Sequence, residues 1–106
     1  MFWRSGFKQE PVREWLRELS MADRAVIGAD LRRLQFGWPI GMPLVRPLGG
    51  GLWELRSSLP GKRETRIMFA IGGDIIVALH GFIKKSRKTP PQDLALARKR
   101  MKELQS

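Results

Sequence analysis

The sequence predicts an α+β fold: a small antiparallel sheet with two N-terminal helices packed on one face, followed by a C-terminal helix. Three patterns predict it. Apolar residues recur at helical spacing between Pro11 and Gly37. Apolar and polar residues then alternate from Leu52 to Ile83, and glycine or proline turns divide that stretch into three strands. A last helical pattern starts after Thr89. A chain of 106 residues is expected to form a single domain, residues 1–106, with a thin two-layer core.

Each element has a local reason. Phe2 to Arg4 carries a weak edge-strand signal. Pro11 suits a first helical turn, because it lacks an N–H and its φ is fixed. Val12, Trp15, Leu16 and Leu19 then fall on one helical face. Ser20, with Asp23 three residues on, reads as a capping box that restarts the chain as a second helix. Ile27, Leu31 and Leu34 form its buried stripe, and Gly37 and Pro39 stop it. Pro39 to Gly51 reads as a loop. Its three closing glycines are not a P-loop: no Gly-Lys-Ser/Thr follows and no helix opens there. They are expected to allow a sharp turn into a strand.

The strands follow as a meander. In Leu52 to Ser58, Trp53 and Leu55 point one way, Glu54 and Arg56 the other. Pro60-Gly61 makes the turn. Thr65, Ile67, Phe69 and Ile71 share one face of the next strand, Arg66, Met68 and Ala70 the opposite one. Gly72-Gly73-Asp74 makes a hairpin turn. Ile75 to Ile83 is apolar nearly throughout, which predicts a central strand. Strict alternation places Ile75, Val77, Leu79 and Ile83 on one face and Ile76, Ala78, His80, Phe82 and Lys84 on the other. Thr89 as cap, Pro90 in the first turn and Gln92 then start a helix whose apolar line is Leu94, Ala97, Met101 and Leu104. The helices are expected to cover the face bearing Trp53, Leu55, Ile67, Phe69, Val77 and Leu79. Glu54, Arg56, Arg66, His80 and Lys84 are then left on an open face.

Composition narrows the function. The chain has no cysteine and one histidine. That leaves no disulfide, no thiol nucleophile and no cysteine- or histidine-built metal site, so no metal or cofactor is expected. No apolar run approaches the roughly 20 residues of a membrane helix, and the first residues do not resemble a signal peptide. A soluble cytoplasmic protein with no membrane partner is expected. The net charge is +10, unevenly spread. Residues 1–55 hold 8 basic and 6 acidic side chains; residues 56–106 hold 12 basic and 4 acidic ones. A basic half of this kind is the footprint of a phosphate-bearing partner.

Two motifs, GLWELR at 51–56 and HGFIKKSRKTP at 80–90, together with Pro47-Leu48-Gly49 and Arg66, resemble the RelE/HigB toxin superfamily. The likeness is greatest to the phage-derived HigB-like branch of type II toxin–antitoxin systems. Pro11-Val12, Trp15 and Leu16 fit the same branch, and the resemblance runs over roughly residues 8–104. It implies a twisted antiparallel sheet with two N-terminal helices on one side, the RelE/ParE-like arrangement. It also implies a metal-independent endoribonuclease (an mRNA interferase) that cuts mRNA on the ribosome. The implied partners are mRNA, the ribosome and a cognate helix-turn-helix antitoxin of the HigA kind, with operator DNA reached only through that antitoxin.

Such chemistry uses the substrate's own 2′-hydroxyl as nucleophile. The protein must help remove its proton, stabilise the crowded anionic phosphorus and protonate the leaving 5′-oxygen. Arg56 and Arg66 are the candidates for the phosphate, since a guanidinium can hold two of its oxygens at once. Their positions match basic positions of the family. His80, the one imidazole in the chain, is the candidate acid or base. Its plainer role is a half-buried residue bonded to backbone. Lys84 could stabilise charge or exchange a proton if cationic neighbours depress its pKa. Lys85, Arg87, Lys88 and Arg98 are expected to contact RNA or ribosome. Glu54 is expected to pair locally with Arg56. Some relatives use a tyrosine, and this chain has none. Phe82, Trp53 or Trp38 could stack on a base but none can transfer a proton. A non-enzymatic toxin that poisons a topoisomerase, as in the ParE branch, and a plain RNA-binding module are the other readings.

Overall fold

The computed structural model describes residues 1–85 and 87–105. Helices α1 (Pro11–Glu18) and α2 (Met21–Gly37) precede four strands, β1 (Val45–Gly49), β2 (Leu52–Leu59), β3 (Arg63–Gly72) and β4 (Ile75–Lys84). Helix α3 (Pro91–Gln105) closes the chain. The strands form one antiparallel sheet in the order β1-β2-β3-β4. The α+β architecture is therefore as expected, with one strand more.

That strand lies in the segment expected to be a loop. Its three prolines obscured it. Pro47 has no N–H to donate, but β1 is an edge strand, where an unpaired position costs little. Val45 is buried and anchors it. The glycines do what was expected of them. Gly49, Gly50 and Gly51 all have positive φ, and Gly50-Gly51 is the two-residue turn between β1 and β2.

β4 was expected in the centre and sits at the edge. Its apolar run has another cause: it is covered on both faces. Beyond it, residues 1–3 run parallel, bonding Trp3 N to Ala78 O and Ala78 N to Met1 O at 2.8 Å each. Phe2 thus makes a single bridge rather than a strand.

The alternation of β4 also breaks. Phe69 pairs with Ala78 but Met68 pairs with His80, so Leu79 is an extra residue, a β-bulge. Ile76 and Ala78 face α1 and α2 with Leu55, Ile67 and Phe69. Val77 and Leu79 face the other way, where they pack with Leu52, Met68, Ala97 and Met101. That is the opposite of the strict alternation expected. It also means that α3 lies on the second face, so the helices do not all share one side. α3 begins one turn position later than expected: the amides of Asp93 and Leu94 bond Pro90 O, which makes Pro90 the cap.

The α1–α2 side follows its sequence closely. Val12, Ile27 and Leu34 are buried, with Trp15, Leu16, Leu19 and Leu31 packed against them. Ser20 Oγ accepts from Asp23 N at 3.2 Å. The Asp23 carboxylate takes a two-pronged bond from Arg63 at the start of β3, 2.8 Å on each oxygen, tying the first turn of α2 to the β2–β3 turn. Gly81 is the point where α1 meets β4. A β-carbon there would lie 2.6 Å from the Trp15 ring.

Two outcomes follow. Gly81→Ala forces Trp15 to move and costs about 1–3 kcal/mol, read as a lower urea midpoint with unchanged slope. Asp23 is held below its usual 3.8, chiefly by its hydrogen bonds from Arg63. A depressed carboxyl contributes stability that is complete above its unfolded value and lost as pH falls below it. Asp23→Asn therefore lowers the thermal midpoint at pH 7 and flattens its decline below about pH 4; an unchanged acid limb would contradict this.

Candidate functional site

Strand register places the cationic residues in three rows across the α3-side face. The first is Arg46, Glu54, Met68 and His80; the second Arg56, Arg66 and Phe82; the third Ser58, Glu64 and Lys84. Arg56, Arg66, His80 and Lys84 thus share one face, as their spacing predicted. α3 packs on this face at Leu52, Met68, Ala70, Val77 and Leu79 and reaches Phe82; Glu54 and Arg66 are buried, and Arg56, His80 and Lys84 stay partly exposed.

Depth separates residues that sequence treated alike. Arg66 is 2% exposed and Glu54 only 1%. Arg56 keeps 28% of its side chain exposed. Glu54 Oε1 lies 3.9 Å from Arg66 Nε and 4.0 Å from Arg56 Nε, so it is an electrostatic hub rather than a hydrogen-bonded pair. Arg66 Nη1 donates to Thr65 O at 2.9 Å. Among the described residues, Arg66 Nε and Glu54 Oε2 have no hydrogen-bond partner. Burial, then the Arg56 charge, pushes the Arg66 pKa down. The two candidates for a phosphate thus differ in access: Arg56 is partly exposed and Arg66 is buried. Lys84 is also lowered, first by burial and then by Arg66 and Arg56.

Among the described residues, His80 bonds a side chain rather than backbone. Its Nε2 lies 2.6 Å from Asp93 Oδ1, in the first turn of α3. A carboxylate accepts, so Nε2–H donates and Nδ1 is left with the basic lone pair. The ring also stacks on Phe82, centroids 5.6 Å apart. Asp93 thus fixes the tautomer and orientation of His80. Sequence missed it because an acid in a first turn ordinarily serves only the helix dipole.

Other expected contacts go elsewhere. Arg98 donates to Leu48 O and Gly49 O at 2.9 and 3.2 Å, bracing the β1–β2 turn. Lys85, Arg87 and Lys88 lie exposed between β4 and α3, beside the third row. Trp38 and Trp53 meet edge to face at 5.0 Å on the α2 side of the sheet, with Phe69 behind Trp38, so they belong to the core. Only Phe82, of the three aromatics considered for base stacking, shares the face with His80. Among the described residues, no three His, Cys, Asp or Glu side chains gather as metal ligands, and no described helix is long and apolar enough to cross a membrane.

The fold and this basic face define a small α+β domain suited to an anionic partner. The family model for phage-derived Gp49-like proteins (DUF891) matches residues 14–102. The match takes in α2, all four strands and most of α3, and the chain belongs to that family. No curated relative matches it.

Removing one partner of a buried charge pair strands the other. Arg66→Ala is expected to cost about 3–5 kcal/mol, because Glu54 stays buried. Arg56→Ala costs about 1 kcal/mol or less, its pair being partly solvated. Equal costs in urea unfolding would contradict the difference in depth.

Proposed function

We infer that this protein is the toxin of a type II toxin–antitoxin system, of the RelE/HigB kind, and that it cuts mRNA as an endoribonuclease on the ribosome. The carrying observation is the face on which Arg56, His80 and Lys84, each partly exposed, stand around a buried Arg66. Membership of a phage-derived family is consistent with a toxin. The cognate partner is then a helix-turn-helix antitoxin of the HigA kind, which carries any contact with operator DNA.

The arrangement supports in-line attack. The Arg56–Arg66 row lies between the His80 row and the Lys84 row, each roughly 7 Å away along the strands. A phosphate on Arg56 has His80 to one side and Lys84 to the other. Nδ1 of His80, oriented by Asp93, takes the proton from the 2′-hydroxyl as its oxygen bonds phosphorus. The 5′-oxygen departs on the opposite side with a proton from Lys84, whose lowered pKa eases that transfer. Arg56 binds the non-bridging oxygens, and Arg66 beneath adds positive field where negative charge develops. The products are a 2′,3′-cyclic phosphate and a 5′-hydroxyl. Phe82 offers a stacking surface beside the phosphate. Lys85, Arg87 and Lys88 extend the cationic track along the RNA backbone.

The test is cleavage of mRNA on translating ribosomes by the purified chain. Placing a single 2′-deoxynucleotide at the cut position abolishes scission there, and persistence of that cut would refute 2′-hydroxyl attack. His80→Ala and Lys84→Ala each lower the rate by about 10²–10³ and relieve growth arrest. DNA breaks with intact mRNA after induction would instead support the topoisomerase-poison reading.

A further inference from the structure

Beside the open face, β2 runs on past the start of β1. Val45 pairs with Leu55, so residues 56–59 have no strand on that side except for one bond, Arg56 N to Leu44 O at 2.8 Å. Backbone groups of a strand alternate in direction, so the Ser58 amide and carbonyl point the same way as those of Arg56 and meet no strand. α2 leans over this gap and leaves a hollow of about 420 Å³, a size suited to a small ligand. Val26 and Leu44 give it apolar walls. Arg56, Ser58, Asp30 and Glu64 supply its polar groups.

The polar groups are unequal. Asp30 is already engaged by Arg33 at 3.6 Å. Glu64 is half-buried, stands opposite Lys84 across the strands and acts on Arg66 through its charge, but no hydrogen bond holds its carboxylate among the described residues. Arg56 lines the hollow and also stands in the middle row of the open face. One guanidinium therefore lies between the cationic rows and a hollow that also holds the Glu64 carboxylate.

We propose that this hollow is a nucleobase subsite selective for guanine, holding the base next to the phosphate that Arg56 binds. The proposal rests on the RNA-cleaving reading for its substrate and adds its sequence preference. A guanine presents N1–H and N2–H side by side, and one carboxylate accepts both. Adenine presents a bare N1 acceptor there, which faces Glu64 lone pair to lone pair; cytosine and uracil each offer a single donor. The outward-facing Ser58 backbone can bond the remaining edge, while Val26 and Leu44 cover the ring faces.

The experiment titrates the purified full chain with 5′-GMP and with 5′-AMP, by calorimetry or side-chain NMR. Cleavage positions are mapped in parallel for the wild type and Glu64→Gln. GMP is expected to bind about tenfold or more tightly than AMP, with shifts at Val26 and Leu44. Glu64→Gln removes that preference, retains phosphate binding, and leaves cuts no longer enriched beside guanine. Equal affinities, or no saturable binding of either nucleotide, overturn the subsite even if RNA is cut. Guanine-selective binding with no RNA cleavage keeps the subsite and removes the nuclease reading. The wild-type comparison holds whether or not Glu64→Gln folds.

Discussion

The bulge at Leu79 is the constraint on which the rest of this structure depends. β4 must do two incompatible things under strict alternation. Its first half packs Val77 and Leu79 against α3. Its second half presents His80, Phe82 and Lys84 on that same face. A regular strand that put residues 77 and 79 under α3 would have turned residues 80, 82 and 84 inward, toward α1 and α2. One additional residue in the strand shifts the parity and brings the histidine and the lysine beside the arginines of β2 and β3. Bulges recur next to functional sites because they re-aim side chains in this way.

The parity shift has a second consequence, at Gly81. After the bulge, position 81 faces α1, where Trp15 lies so close that only hydrogen fits. Packing on one face and charge display on the other are thus coupled within three residues. Beneath the display lies a cluster that does not follow the usual rule for buried charge. Glu54 and Arg66 are almost fully buried, yet separated by 3.9 Å with orphaned polar atoms on both. Such an arrangement stabilises poorly compared with apolar packing. It sets the Arg66 guanidinium within reach of the partly exposed Arg56, whose charge depresses the Arg66 pKa.

Much of this was legible from residues. The period of 3.6 in α1 and α2, the alternation of β2 and β3, and the glycine turns all acted locally, and local patterns survive folding. The shared face of Arg56, Arg66, His80 and Lys84 also held, although in β4 strict alternation places His80 and Lys84 correctly while reversing Val77 and Leu79. A bulge leaves no mark in an apolar run, because every residue there suits either side. β1 was hidden by Pro47, whose missing donor argues against a strand except at an edge, and edge position is a tertiary fact. Depth was illegible too: a period of two says which face Arg66 occupies, not that its side chain is buried there. Asp93 and Arg98 were ordinary helix charges until α3 was docked on the sheet. The family match spans α2, all four strands and most of α3, and leaves the chemistry to the side chains themselves.

The most direct measurement is a side-chain NMR titration with a short RNA whose 2′-hydroxyls are replaced by hydrogen, so that it binds without reacting. Signals from the Arg56 guanidinium, the His80 ring and the Lys84 ε-methylene should move together and weaken in concert as salt rises. Shifts confined to the α1–α2 surface, or an absence of any change at these three residues, would contradict the account.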